Sequence, residues 1–202
     1  MNYANIQQTD ASGNINGQFR PRDFVMQVSA ARKYLTKWNY GAALKYISSN
    51  YGQYRSNGLA IEMGVLFHDT TKLFSASITA KNMGFQLKRY NAGTGEDLPF
   101  DLIAGITKRL DKAPLGFSIT AQHLHQFNIR YNDTLFNNDN GINGGNKKFT
   151  VDKLFRHFVF ATQIYLGDKV EISIGYNHLR RQELNINNTS NGLNGFSIGA
   201  AM

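Results

Sequence analysis

Two interleaved rows of side chains constrain what residues 169–185 can become. Val170, Ile172, Ile174 and Tyr176 occupy every second position, with Glu171, Ser173, Gly175 and Asn177 between them. Successive side chains of a β-strand point to opposite faces, so this ribbon is apolar on one side and polar or very small on the other. At helical spacing the same residues would scatter around the axis. After Tyr176 the chain turns polar through Asn177, His178, Leu179, Arg180 and Arg181. The pattern predicts a strand that spans a thin apolar layer and emerges into water.

The construction recurs along the chain. Trp38, Tyr40, Ala42, Leu44 and Tyr46 alternate with Asn39, Gly41, Ala43 and Lys45 over 38–49. Ile61, Met63, Val65 and Phe67 oppose Glu62, Gly64 and His68 over 59–69. Phe74, Ala76, Ile78 and Ala80 oppose Ser75, Ser77 and Thr79 over 72–84, and Phe117, Ile119 and Ala121 oppose Ser118, Thr120 and Gln122 over 116–125. Further strands are predicted at 23–33, 100–110 and 155–167. A hairpin has arms at 3–8 and 15–19 around the turn formers Asp10 to Asn14, and a last strand lies within FSIGAAM. This makes about ten strands, each about the nine to eleven residues of a tilted membrane crossing or somewhat longer.

The connections carry a second pattern. Short ones at 34–37, 69–71, 111–114 and 167–168 alternate with long ones at 50–57, 89–99, 126–153 and 186–195. An up-and-down membrane barrel has tight turns on its periplasmic rim and longer loops on its external rim. Trp38, Tyr46, Phe67, Phe100, Phe117, Phe158 and Tyr176 lie near strand ends, where aromatic girdles form. The rival is a soluble β-barrel or sandwich, whose interior needs bulky apolar residues. The opposed rows here are Ser, Thr, Gly, Asn and Glu, too polar for a dry core. The fold expected is therefore all-β, an antiparallel up-and-down transmembrane β-barrel, with residues 1–202 forming one barrel domain incomplete at both termini.

Composition narrows the function. Cysteine is absent, which excludes disulfides and cysteine-based zinc sites. No apolar run approaches the roughly 18 residues of a membrane-spanning helix. Lys and Arg exceed Asp and Glu, for a net charge of +8, which suits an anionic lipid or lipopolysaccharide surface. No basic run interleaved with aromatics points to nucleic acid. The first residues carry no signal-peptide pattern, and the last stop within an alternating strand, so both ends read as cut from a longer chain.

Several segments together resemble a known family: GNINGQF at 13–19, SSNYGQYRSNGLAIEMGVLFH at 48–68, ITAKNMG at 78–84, and EDLPFDLIAGITKRLDKAPLGFSITAQHL at 96–124. FRHFVFATQIYLGDKVEISIGYNHLRRQEL at 155–184 and GLNGFSIGAAM at 192–202 complete the set. They resemble the PorQ family of the type IX secretion system, in the PorV/PorQ group of FadL-like outer-membrane barrels. LPFDL, APL and GYNHLRR carry most of the likeness, which extends over essentially the whole chain. The resemblance implies a fourteen-stranded barrel in the bacterial outer membrane, without catalysis or cofactor. It implies a role in holding a PorZ-like surface protein within an attachment complex with PorU and PorV. That complex couples secreted cargo to anionic lipopolysaccharide. The alternative is a FadL-like transporter of hydrophobic small molecules.

Candidate site residues follow from placement. His123 and His125 share one face of the strand 116–125, and a metal would need further ligands such as His157 and His178. The commoner role of such histidines is at a rim. NNDNGINGG in 126–153 lacks the glutamate of a calcium loop, and NAGTGED lacks the strand-to-helix context of a phosphate loop. No strained nucleophile turn with a base beside it marks a hydrolase. The basic pairs Arg180-Arg181, Lys147-Lys148 and Lys88-Arg89 lie near the ends of long loops, and so on one rim. With Tyr176, Asn177 and His178 they form the expected contact set for lipopolysaccharide or a protein partner, because arginine offers anions a two-pronged fork. A solvated charged rim is the simpler reading for any one pair.

Overall fold

The structure, a computed structural model, describes residues 4–90, 97–127, 129, 151–167, 169–184 and 192–202. The chain is all-β, with two short helices among the described residues. Its strands are β1 (Ile6–Thr9), β2 (Ile15–Phe19), β3 (Arg22–Tyr34), β4 (Trp38–Tyr51), β5 (Tyr54–Asp69), β6 (Phe74–Lys88), β7 (Asp101–Arg109), β8 (Leu115–Ala121), β9 (Phe158–Leu166), β10 (Val170–Asn177) and β11 (Phe196–Ala201). The helices are α1 (Val151–Phe155) and α2 (His178–Glu183). β1 and β2 pair as a hairpin, and β3 to β11 follow one another in a nine-stranded antiparallel sheet. Every strand of that sheet lies beside its sequence neighbours, which is the expected up-and-down order. Among the described residues no pairing joins β3 to β11. No described helix is long and apolar enough to cross a membrane.

Two compact units can be distinguished, Met1–Val65 with Thr79–Asp101 and Leu66–Ile78 with Leu102–Met202. In the first, β3 and β4 pair without a break from Arg22↔Asn50 to Tyr34↔Trp38. Leu35, with φ of 57°, opens the tight turn between them. The expected loop at 50–57 is not a loop. Pairing continues to Tyr51 and resumes at Tyr54, leaving Gly52 and Gln53 as the connection. Gly52 adopts a φ of 67°, which a glycine takes without a Cβ clash. The surrounding Ser, Asn and Tyr residues extend as strand, and the Tyr51 hydroxyl donates to both carboxylate oxygens of Asp23, at 3.0 and 2.9 Å. The long–short alternation of connections therefore fails at this position.

Exposure alternates along β4 and β5, and the apolar row is the more exposed one. In β4, Trp38, Tyr40 and Leu44 are exposed, Leu44 by 51%, while Asn39, Gly41, Ala43 and Lys45 are half-buried. Lys45 and Glu62 of β5 form an ion pair of 2.5 Å on that half-buried face. Ser56, Gly58 and Ala60 continue it as a buried row, whereas Ile61, Met63 and Val65 are exposed. Ala60 and Pro21 are the buried apolar side chains among the described residues, and none of these residues has a large side chain fully buried.

β6 is irregular at Asn82, whose φ of 55° is left-handed. Its amide donates to Pro99 O at 3.0 Å. Two residues on, Gly84 presses against β5: a Cβ there would stand 1.9 Å from Leu59 O and 2.6 Å from Ala60 Cα. No side chain fits between those backbones. Before Asn82 the exposed apolar residue is Ile78; after it Phe85 and Leu87 are exposed, and Gln86 turns inward to Ser56 Oγ at 3.5 Å. The exposed apolar residues thus change from even to odd numbers across Asn82.

In the second unit β8 repeats the pattern. β7 and β8 pair from Ala104↔Ala121 to Arg109↔Gly116, β8 and β9 from Leu115↔Ile164 to Ala121↔Phe158, and β10 lies between β9 and β11. Phe117 and Ile119 of β8 are exposed, while Gly116 is buried and Ser118 and Thr120 half-buried. A polar ladder crosses three strands on the half-buried face. Thr107 and Ser118 hydroxyls share a hydrogen bond of 2.9 Å, and Gln163 Nε2 donates to Ser118 Oγ at 2.8 Å. Asp69, buried, accepts from Thr71 N and Lys72 N at 3.0 and 3.1 Å and so closes the turn before β6. The expected strand 116–125 stops at Ala121; Gln122 N bonds instead to His157 O, and His123 has a φ of 54°.

Gly84→Ala is expected to cost on the order of 1–3 kcal/mol or to prevent folding. Gly58→Ala, whose Cβ would meet Leu98 at an ordinary 3.5 Å, should cost well under half as much. Urea midpoints of the two variants, measured side by side in detergent, check this; equal midpoints would contradict the close β5–β6 approach.

Candidate functional site

The last turn of β10 leads into α2 rather than onward as a strand. Asn177 caps that helix, its side-chain oxygen accepting from Arg180 N at 3.1 Å. A polar side chain here satisfies an amide that the first turn leaves unpaired. The segment Asn177 to Arg181 is therefore a capped helix start, a correction to the extended emergence that alternation alone suggested. Gly195 lies against it: Asn177 N donates to Gly195 O at 2.8 Å, and a Cβ on Gly195 would come within 2.8 Å of Arg181 Cβ.

α2 and α1 are joined by one carboxylate. Asp152 Oδ1 accepts from His178 Nε2 at 3.0 Å and from Gln182 Nε2 at 2.5 Å, while Oδ2 pairs with Arg156. His178 and Gln182 are four apart on one helix, and Asp152 and Arg156 four apart around the other, so each pair faces the same way. With its Nε2 proton given to Asp152, His178 turns Nδ1 to the Tyr176 hydroxyl at 3.2 Å. Arg181 donates to the same hydroxyl at 3.4 Å. Phe155 packs edge-on to His178, and Tyr176 lies 5.0 Å from the Phe196 ring centroid. Burial pushes the Asp152 carboxyl up, but the hydrogen bonds from His178, Gln182 and Arg156, with the Arg156 charge, outweigh it. The net effect holds the group below its ordinary value.

A carboxylate, an imidazole and a hydroxyl in series resemble a proton relay, yet the hydroxyl is a phenol whose ring is packed on Phe196. No serine, threonine or cysteine stands at His178 Nδ1 among the described residues, so the chain of bonds lacks an acyl-accepting nucleophile. It acts as a brace that fixes α2, and with it the cations of that helix, above the sheet end.

The structure brings together Tyr176, Asn177, His178 and Arg181 of the expected contact set. Arg180 is exposed on α2 and forms no ion pair among the described residues. Lys88 ends β6 in the other unit, where its carbonyl accepts from Ser56 Oγ at 3.0 Å, and Arg89 follows it. Lys147 and Lys148 lie outside the described residues, as does Asp168 of the expected 167–168 turn. The histidines go to separate partners. His157 is buried between Gln122 O at 2.8 Å and Phe127 O at 3.4 Å, and His123 and His125 face each other with ring centroids 6.3 Å apart. Asp152, Arg156 and Gln182 were missed from the sequence. The i,i+4 spacing in DKLFR and HLRRQ was the signal that could have found them. Compared with known proteins, the chain matches no family model and no curated protein.

Replacing Asp152 with Asn should loosen α1. Its side chain is 37% exposed, so the expected loss is about 1 kcal/mol, read as roughly fivefold faster amide exchange at Arg156 and His157. Because the folded carboxyl titrates below its ordinary 3.8, its contribution is present above that value and lost as pH falls through the lower, folded one. Wild-type exchange should rise across that window and the Asp152→Asn protein should not; parallel profiles would contradict the brace.

Proposed function

We propose that this chain forms part of an outer-membrane β-barrel of the PorQ kind, which acts by binding as a docking platform in type IX secretion. The observation that carries the reading is the inverted exposure of the strands. Trp38, Tyr40, Leu44, Ile61, Met63, Val65, Phe117 and Ile119 stand on the outer rows, each roughly half exposed. Left in water, each forgoes about 1 kcal/mol of burial. Together that is about 8 kcal/mol, as large as the net stability of a typical domain, about 5–15 kcal/mol. An apolar solvent around the sheet removes the cost, and a lipid bilayer is such a solvent.

The other face supports the same reading. Lys45–Glu62 and the Thr107–Ser118–Gln163 ladder suit a polar interior rather than the apolar pocket that a transporter of hydrophobic molecules needs. In the proposed topology the turns at 34–37, 69–71, 111–114 and 167–168 face the periplasm, and the Gly52-Gln53 connection lies on the other rim. The external rim, with α2 and the loops 89–99, 126–153 and 186–195, presents Arg180 and Arg181 to a PorZ-like partner or to lipopolysaccharide. PorU and PorV belong to the same proposed complex, and the sortase-like chemistry belongs to PorU.

Trp38 is the one tryptophan and so reports its surroundings alone. In vesicles its emission should be blue-shifted and quenched by brominated acyl chains; a water-exposed, unquenched spectrum would end the membrane reading. Loss of the protein from cells should release the PorZ-like partner into the medium while fatty-acid uptake stays unchanged, the reverse result favouring transport. Replacing Arg180 and Arg181 with Gln should weaken surface retention of the partner, and full retention would remove their role.

A further inference from the structure

At the tight-turn end of the second unit, opposite the Asp152 brace along β9 and β10, lies a cleft of about 560 Å³. Leu73, Leu110 and Pro114 form apolar walls, and Arg109, Lys112 and Tyr165 the polar ones. Backbone hydrogen bonds hold those walls in place. Arg109 N donates to Leu73 O at 2.9 Å, Leu110 N to Leu115 O at 2.9 Å, and Tyr165 N to Pro114 O at 2.8 Å.

Arg109 lies over the Tyr165 ring with Cζ 4.1 Å from the centroid. A guanidinium held over a ring by cation–π attraction still has N–H groups with which to meet a ligand. Gly116 leaves room for this arrangement, since a Cβ there would come within 3.2 Å of the Tyr165 hydroxyl. Neither Arg109 nor Lys112 forms an ion pair among the described residues, and Asp111, which also lines the cleft, is bonded to neither. Lys108, by contrast, has its ammonium engaged by the Lys72 carbonyl. A second hollow of about 290 Å³ shares Arg109 and Tyr165 and adds Lys169 and Glu171.

We propose that this cleft binds a phosphate group carried on an apolar body. The phosphate sits between Arg109 and Lys112, and the apolar part lies along Leu73, Leu110 and Pro114. An arginine fork and a lysine lining the same cleft supply several donors to a group with several acceptor oxygens, which phosphate has and a lone carboxylate has fewer of. A phospholipid carries both parts; a free phosphoester carries the anion alone. The cleft is complete within its own unit and owes nothing to the membrane reading.

The test is isothermal titration calorimetry on the full chain in a nonionic detergent, with each variant checked for strand content by circular dichroism. The probes are dihexanoylphosphatidylglycerol, inorganic phosphate and dihexanoylglycerol. The phosphatidyl probe should bind one to one, weakened about tenfold by Arg109→Gln and severalfold by Lys112→Gln. Arg32→Gln, at a different tight turn, should leave it unchanged. Inorganic phosphate binding as tightly as the lipid supports a phosphate site whose source is a free phosphoester, and much weaker binding supports the lipid. Equal binding of the uncharged dihexanoylglycerol, no binding of either phosphate probe, or indifference to both cation substitutions would overturn the proposal.

Discussion

A half-buried polar side chain gains from a hydrogen-bond partner, and in this sheet several find one on the next strand. Ser118 serves Thr107 on one side and Gln163 on the other, and Lys45 meets Glu62 across a strand boundary. Leaving such a group unbonded would cost about 1–3 kcal/mol. Sliding one strand by a single residue would break these bonds and turn apolar side chains onto the polar face, so the ladders and the alternation enforce the same register. The exposed rows, the tight turns and the sites at the strand ends all inherit their positions from that register.

Most of the sheet was legible because period-two alternation is a local signal. The runs around Leu44, Met63 and Ile119 report their strands directly, and the glycine- and aspartate-bearing turns separate them. Three features were hidden for physical reasons. Ser, Asn and Tyr at 50–57 look like loop formers, but a strand that projects beyond an apolar layer has no need of apolar residues. α2 is too short to show helical periodicity, and its cap, Asn177, is also an ordinary residue at the end of a strand. Asp152 is distant in sequence from His178, and only the folded chain brings them within 3.0 Å.

The two ends of β9 and β10 treat charge differently. At one end Asp152 gathers an imidazole, an amide and a guanidinium, so the local charges are largely answered within the protein. At the other, Arg109 lies over the Tyr165 ring, Lys112 lines the same cleft, and among the described residues neither forms an ion pair. A satisfied cluster gives shape, here the placement of α2 and its outward Arg180. An unsatisfied one gives affinity, because part of the ordering of its groups is done before any anion arrives. Of the expected contact residues, Tyr176, Asn177, His178, Arg180 and Arg181 fall at the first of these ends, and the cleft at the second was not visible in the sequence because its parts come from 73, 109–114 and 165.

Asn82 makes β6 a line of text with a shift in its reading frame. Upstream, even-numbered Ile78 is exposed; downstream, odd-numbered Phe85 and Leu87 are. A rule that assigns faces by counting in twos from Phe74 would therefore place the last third of the strand inside out. Homologous or designed segments compared with this one need to be aligned on Asn82 rather than on the strand's first residue. A one-residue deletion on either side of it would exchange the faces of every residue beyond.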